Sequence, residues 1–574
     1  MKRIAIIDVG SNSARLVIME IHASNACNLV YNQKDPLRLA LKTDKKGYLT
    51  EEAFAATTNC LKNFASMCRI FQVDETIAVA TAAIRNAPNG AKLAKAASQA
   101  SGINLEIISG KTEAYLSYLG VINTIDVKDA VIFDLGGAST EVILVKDRKL
   151  VDSVSLPIGC VNLTKNFKLN NAVDPVALNK MRRAINDQMQ KAPWIAGCGL
   201  PLVGVGGTAR SVGKIEQKRA KYFTSKLHNY QFGLQDFKEW YKTLPGTTLA
   251  TRRRIPGLSN DRADVIIAGS SIIKALADRS KARKMIISSC GLREGLFSQY
   301  LHEHTDRPLI TPNILETARE NMIHLYSPDE EHCRLVARYA IQLFRGWQSL
   351  HKLDPVRWEP LLETAALLHD IGITINYYNH TRHSGYLIEN GKLFGLNHLD
   401  VVYTAILAAW HHGVNRGYLR NRAYRKLIPE IDLKRLSNAA LLLALAECLD
   451  YTQTGAIETI EPAILNGGAV LTLTAARTPA VELQQLHDQV VPEEPGLQFD
   501  RSGEGRKIKK KRGCEEMDSS FLHSPFFYAR IPSSCSPSWT AFISSSTRVS
   551  TFRVWAPWVS VTIRGASLAR SLST

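Results

Sequence analysis

A chain of 574 residues is long enough for three or four domains of ordinary size, which argues against a single domain. Its 45% hydrophobic and 22% charged residues suit a globular protein, with no apolar run long enough to span a bilayer and no signal-type segment at the start; a cytoplasmic protein is expected. The net charge of +18 points to an anionic partner, yet from residue 501 onward 12 Lys and Arg stand against 4 Asp and Glu, so almost half of the excess lies in that last stretch.

The first strand pattern, over residues 3–9, ends in Asp8-Val9-Gly10-Ser11-Asn12-Ser13-Ala14-Arg15 and resumes over 16–21. The same arrangement returns 126 residues later. There, apolar runs at 130–133 and 142–145 enclose Asp134-Leu135-Gly136-Gly137-Ala138-Ser139-Thr140-Glu141, with Asp8 on Asp134, Gly10 on Gly136 and Ser13 on Ser139. A strand, acid, glycine, serine and strand repeated at domain-sized separation is the mark of an internal duplication. Both stretches read as strand, glycine turn, strand. Glycine tips let backbone N–H groups approach an anion, and Asp134 and Glu141 offer hard oxygen ligands suited to Mg²⁺. A polar hairpin turn without chemistry is the plain alternative.

Between the tips, residues 50–69 have helical spacing and 77–79 read as a strand, which leaves Arg85 near a strand-to-helix connection where it can clamp phosphate. Glu113, in Ser109-Gly110-Lys111-Thr112-Glu113, falls in a first helical turn. The macrodipole alone favours an acid there, and the functional alternative is a base for attacking water. After the second tip, Gly204-Val205-Gly206-Gly207-Thr208 gives a third glycine-rich turn that opens a helix, a further phosphate cradle. Lys284 to Gly295 supplies a strand and turn that close the second lobe. The ten cysteines have no paired spacing, which fits reduced thiols.

From about residue 311 the texture becomes helical, over 314–326, 330–348, 358–369, 400–412 and 436–450. This region carries His332, the doublet His369-Asp370 and Asp450, with further histidines at 380, 383, 411 and 412. Histidine and aspartate on neighbouring helices can ligate a metal. Residues 491–574 break with everything before: a basic run at 503–512 precedes a serine-rich stretch, read as a disordered tail, and the abrupt switch is compatible with a change of reading frame.

The ordered set of Asp8 to Ser13, Ala80-Thr81-Ala82-Ala83-Ile84-Arg85, Ser109 to Ala114, Asp134 to Glu141, Gly204 to Thr208 and Gly291-Leu292-Arg293-Glu294-Gly295 resembles the exopolyphosphatase and guanosine pentaphosphate phosphatase family, most closely its bacterial exopolyphosphatases. The resemblance is close over about 1–305 and continues to about 480. It implies an α/β chain of two ribonuclease-H-like lobes of the actin, heat-shock chaperone and sugar kinase type, followed by an all-helical HD-like domain. The expected domains are 1–124, 125–305 and 306–490, then the tail.

Carried over residue by residue, the resemblance makes Glu113 the catalytic base and Arg85 a phosphate contact. It makes Gly10, Ser11, Asn12, Ser13, Gly136, Gly137, Ala138, Ser139, Gly206, Gly207 and Thr208 phosphate-binding, and Asp134 and Glu141 ligands of Mg²⁺. The implied substrate is inorganic polyphosphate, cleaved processively from its end, or guanosine pentaphosphate; neither a membrane nor specific nucleic acid is expected, and a homodimer is open. An actin-fold ATPase or kinase shares the tips, but Glu113 with Arg85 argues against it. A non-catalytic polyphosphate binder would not place acids at the tips. His332, His369, Asp370 and Asp450 match the ligand order of HD phosphohydrolases, so a second divalent metal is expected as a candidate in the helical domain.

Overall fold

The computed structural model describes residues 1–420, 422–465, 467–490, 554–556 and 559–564. Two compact units divide the chain, one of Met1–Leu325 with Lys392–His398, the other of Tyr326–Gly391 with the residues from Leu399 on. No described helix is long and apolar enough to cross a membrane, and the eight cysteines at described positions are unpaired thiols.

The first unit contains two mixed sheets. Strands β1 (Lys2–Val9), β2 (Ala14–Ile21), β3 (Cys27–Asp35), β4 (Glu75–Ala80) and β5 (Leu105–Ile107) form one, in the order β3-β2-β1-β4-β5. Strands β6 (Ala130–Leu135), β7 (Thr140–Lys146), β8 (Lys149–Leu156), β9 (Leu202–Val205), β10 (Tyr230–Gly233) and β11 (Lys284–Ile287) form the other, in the order β10-β11-β9-β6-β7-β8. In each sheet three consecutive antiparallel strands join a parallel set, β1, β4 and β5 in one and β6, β9 and β11 in the other. The repeat seen in the motifs is therefore a repeat of topology, with β10 added at one edge. The central strands are apolar without alternation because both faces are covered: Ile4, Ala5, Ile6 and Ile7 are all fully buried.

Two helices exchange lobes. Helix Gly110–Ile122 leaves the first sheet and packs Ala114, Tyr118, Leu119 and Ile122 against β6, β7 and β9 of the second. Helix Leu292–His304 leaves the second sheet and packs Leu292, Leu296, Tyr300 and Leu301 against Ile4, Ile6, Val17 and Val79 of the first. Where they cross, glycines remove the side chains between them. A Cβ added at Gly120 would lie 2.0 Å from the Gly291 carbonyl oxygen, and one at Gly295 would lie 1.9 Å from that of Leu116.

In the second unit the helices Glu330–Gly346, Pro355–Leu367, His398–Ala409 and Glu430–Cys448 supply most of the core. It is helical but not all-helical. Strands β12 (Ile457–Leu465) and β13 (Gly468–Ala475) form an antiparallel hairpin. Alternate residues Ala469, Leu471, Leu473 and Ala475 of β13 turn inward, the period of a half-buried strand. The disordered-tail reading fails for two short stretches, β14 (Val554–Ala556) and β15 (Val559–Arg564), because β15 pairs in parallel with β13. The basic run at 503–512 lies outside the described residues.

Candidate functional site

The two hairpin tips are built alike. Asp8 pairs with Arg15 across β1 and β2, and Asp134 pairs with Glu141 across β6 and β7. In each tip the glycine N–H closes the turn on the serine carbonyl, Gly10 to Ser13 at 3.2 Å and Gly136 to Ser139 at 3.0 Å. Those two amides shape the tips, so the amides that can meet an anion are the later ones, at Ser11 to Ser13 and Gly137 to Ser139. The tips approach closely: a Cβ added at Gly137 would lie 3.0 Å from that of Ser11. At the position matching Glu141 the first tip carries Arg15, so the duplication has inverted one charge.

Gly206 opens a helix, Gly206–Arg219, with φ +95°, and a Cβ there would meet the Leu135 carbonyl oxygen at 2.6 Å, so only glycine fits. A side chain at Gly207 would run into the Arg262 guanidinium, 2.4 Å away. These two residues line the central cleft together with both tips, Glu113 and Asp134. Two of the expected phosphate-binding turn residues do not. Thr208 is buried against Gly269 of helix Ile266–Ser280, because the helical turn carries its side chain away from the cleft. The Ala138 carbonyl accepts from Asn162 Nδ2 at 3.0 Å, on the far side of the tip.

Glu113 is buried rather than solvated, which removes the macrodipole as its sole reason for being there. Arg85 Nη1 donates to Glu113 Oε2 at 2.6 Å and to the Ile108 carbonyl at 3.2 Å. Arg85 therefore orients the acid, and it does not itself line the central cleft. Behind the second tip, Ser117 Oγ donates to Asp134 Oδ2 and Ser155 Oγ to Glu141 Oε1, both at 2.7 Å, so a serine engages one oxygen of each carboxylate.

The cleft is electrically bipolar. Burial, then the neighbouring Glu141, pushes Glu113 well above the usual carboxylate range despite Arg85. Burial and Asp134 push Glu141 to about 7, and burial pushes Asp8 to about 6 and raises Asp134. On the other wall, burial and then Arg293 and Arg210 lower Arg15 to about 10, and burial with Arg293 lowers Arg210. Carboxylates crowded this way call for a cation, and arginines crowded this way call for an anion. Asp134, which lines the cleft, and Glu141, buried beside it and outside that lining, are hard oxygen donors of the kind Mg²⁺ takes. Asp8, Arg15, Arg210, Arg262 and Arg293 belong to the cleft although the sequence reading did not select them. Asp8 was recoverable from its match to Asp134, whereas Arg262 sits in a short turn with no pattern of its own.

The crowding has a pH signature. A carboxylate raised in the folded state keeps its proton where the unfolded chain has lost it, so unfolding free energy falls as pH rises through that window. For Asp8 the window runs from 3.8 to about 6, and for Glu141 from 4.5 to about 7, on the order of 3 kcal/mol each. The melting temperature of the EDTA-treated protein is expected to fall between pH 4.5 and 7. Asp134→Asn, which removes a carboxylate repelling Glu141, flattens that fall in a differential scanning fluorimetry series.

In the second unit His332 and His369 converge on Glu447, not on Asp450. His369 Nε2 is 2.9 Å and His332 Nε2 3.4 Å from Glu447 Oε2. Asp450 Oδ2 meets His332 Nδ1 at 2.8 Å and its Oδ1 accepts from Gly455 N at 2.8 Å. Both residues are on the last turn of helix Glu430–Cys448 or just past it, and the helical phase aims Glu447 at the cluster. Asp370 lies between His369 and the pair His380 and His411.

Known proteins resemble this chain in sequence and fold. The model of the Ppx/GppA phosphatase family matches residues 17–304, and that of Ppx/GppA phosphatase domain III matches 314–490. A protein of Pseudoalteromonas translucida named guanosine-5'-triphosphate,3'-diphosphate pyrophosphatase is 29% identical over 471 residues, 80% of this chain and 91% of that one. One of the same name from Pseudoalteromonas atlantica is 29% identical over 415 residues, 70% of this chain and 78% of that one. The crystal structure of an exopolyphosphatase from Cytophaga hutchinsonii shares the fold, with a TM-score of 0.50 and 24% identity over 53% of this chain and 98% of that one. Two lobes of the actin and sugar kinase type, a helical second unit and both family models lead to one conclusion: the chain belongs to the Ppx/GppA phosphatase family, whose members hydrolyse phosphoanhydride bonds.

Proposed function

We propose that this protein releases orthophosphate from the end of inorganic polyphosphate by Mg²⁺-dependent, processive hydrolysis. The observation that carries this reading is the cleft wall: among the described residues two hairpin tips, four arginines and four acids line it, and no aromatic ring does. Such a wall recognises phosphate and offers a nucleobase no stacking surface. Glu113 takes the proton of the attacking water, with Arg85 fixing its carboxylate. The later tip amides, the amides at Gly206 and Gly207, and Arg15, Arg210 and Arg293 hold the terminal phosphate oxygens in line. Asp134 and Glu141 would hold Mg²⁺, which when bound would supply neutralisation of charge on the phosphates. Positioning and charge neutralisation supply most of the rate, and no covalent intermediate is needed.

The second reading, removal of the 5′ terminal phosphate of guanosine pentaphosphate, is favoured by the names of the two Pseudoalteromonas relatives. Orthophosphate release with Mg²⁺ from long-chain polyphosphate, guanosine pentaphosphate and ATP separates the readings. Polyphosphate is expected to have the highest kcat/KM. Turnover of guanosine pentaphosphate alone would move the function to the second reading, and turnover of ATP alone would make this an ATPase.

A further inference from the structure

We infer that the second unit binds a pair of divalent transition-metal ions bridged by Asp370, with His332, His369 and Glu447 completing one site and His380 and His411 the other. The inference is independent of the cleft chemistry.

Proton positions carry the first step. His369 Nδ1 lies 2.6 Å from the Ala366 carbonyl, His380 Nδ1 2.8 Å from that of Tyr377, and His411 Nδ1 2.7 Å from that of Ala408. A carbonyl oxygen only accepts, so each Nδ1 is the protonated nitrogen, and a neutral ring then presents a lone pair at Nε2. His332 is held likewise by Asp450. With each ring neutral, four imidazole lone pairs point at the carboxylates of Asp370 and Glu447, acceptor against acceptor, and only a second proton on each ring or a metal ion relieves that arrangement. His332, His369, Asp370 and Glu447 are all more than nine-tenths buried. His332 Nε2, His369 Nε2, Asp370 Oδ1 and Glu447 Oε2 have no hydrogen-bond partner. Buried acceptors that face one another need a cation between them.

Spacing carries the second step. Donors about 2.1 Å from one ion lie about 3.0 Å apart in octahedral and about 3.4 Å apart in tetrahedral geometry. In the first site the separations are 2.9 Å for His369 to Glu447, 3.4 Å for His332 to Glu447 and 3.7 Å for His369 Nε2 to Asp370 Oδ2. In the second, His380 and His411 lie 3.3 and 3.7 Å from Asp370 Oδ1, and 3.2 Å from each other. The two oxygens of Asp370 face different histidine sets, as a bridging carboxylate must. His412, exposed and within reach of His380 and His411, lies on the open side. Mixed imidazole and carboxylate donors select Mn²⁺, Fe²⁺, Co²⁺ or Zn²⁺ over Mg²⁺. Asp450 is the carboxylate behind a ligating histidine that fixes its ring.

The test loads the full chain with Co²⁺ in excess Mg²⁺ and follows equivalents bound together with hyperfine-shifted imidazole N–H resonances. Among the described residues no histidine lines the cleft, so shifted imidazole N–H resonances do not report metal bound there. Two equivalents with shifted N–H signals are expected. Glu447→Gln should lose one equivalent, His380→Ala with His411→Ala the other, and Asp370→Asn both, each variant keeping the wild-type melting temperature in EDTA within a few degrees. Asp450→Asn should keep both with affinity lowered about 10–100-fold. Binding without shifted N–H signals, no binding at any loading, or full loading of Asp370→Asn would overturn the inference.

Discussion

Glu113→Gln is expected to lower kcat by about 10²–10⁴-fold, the usual contribution of a positioned general base, with KM little changed. The substitution keeps the shape, and the amide oxygen still accepts from Arg85 Nη1, which now reaches the carboxylate at 2.6 Å. The loss is therefore chemical and not structural. Arg85→Ala should behave differently, because it strands a buried carboxylate and costs about 3–5 kcal/mol of stability as well as activity. Steady-state orthophosphate release and urea denaturation on both variants separate the two effects. Retention of half the wild-type kcat by Glu113→Gln would end the base assignment whatever the substrate proves to be.

Gly295→Ala is expected to be among the most destabilising single methyl additions to the first unit. Its Cβ would sit 1.9 Å from the Leu116 carbonyl oxygen, a backbone atom that cannot swing aside, and Gly120→Ala meets the Gly291 carbonyl at 2.0 Å. Overpacking a core costs about 1–3 kcal/mol, and these contacts belong at the top of that range. The two helices must separate, and the one carries Glu113 while the other begins beside Arg293. A lower urea midpoint should therefore accompany a fall in kcat, although neither glycine touches the cleft. A control alanine at Gly246, where nothing lies within 4 Å, should leave both unchanged.

The fold was legible because its signal is local and repeated. The Asp-x-Gly-x-x-Ser tips at Asp8 and Asp134 specify strand, turn and strand by themselves, and their spacing announces two lobes. Charge at the cleft was less legible. Arg15 and Arg293 stand inside motifs already singled out and Arg210 two residues past another, but an arginine looks the same in sequence whether it faces solvent or a cleft. Glu447 was hidden by Asp450 three residues on, since only the phase of the helix decides which carboxylate meets His369. The hairpin of β12 and β13 offered the Asn466-Gly467 pair, a strong turn signal, but Glu458, Glu461 and Pro462 disguised β12 as loop. Thr208 misled because a glycine-rich turn says nothing about which way the following side chain points.

The exchanged helices also decide how the first unit can come apart. Leu292, Leu296, Tyr300 and Leu301 cover the sheet that was made first along the chain, nearly 300 residues before them. Left in water, each would forfeit about 1.5–3 kcal/mol, a sum comparable to the whole net stability of an ordinary domain. A fragment ending before β6 therefore holds an unfinished core, and so does the fragment that begins there. The two sheets should melt in one calorimetric transition, and a ribosome-bound chain should gain its first protease-resistant state only after His304 has emerged.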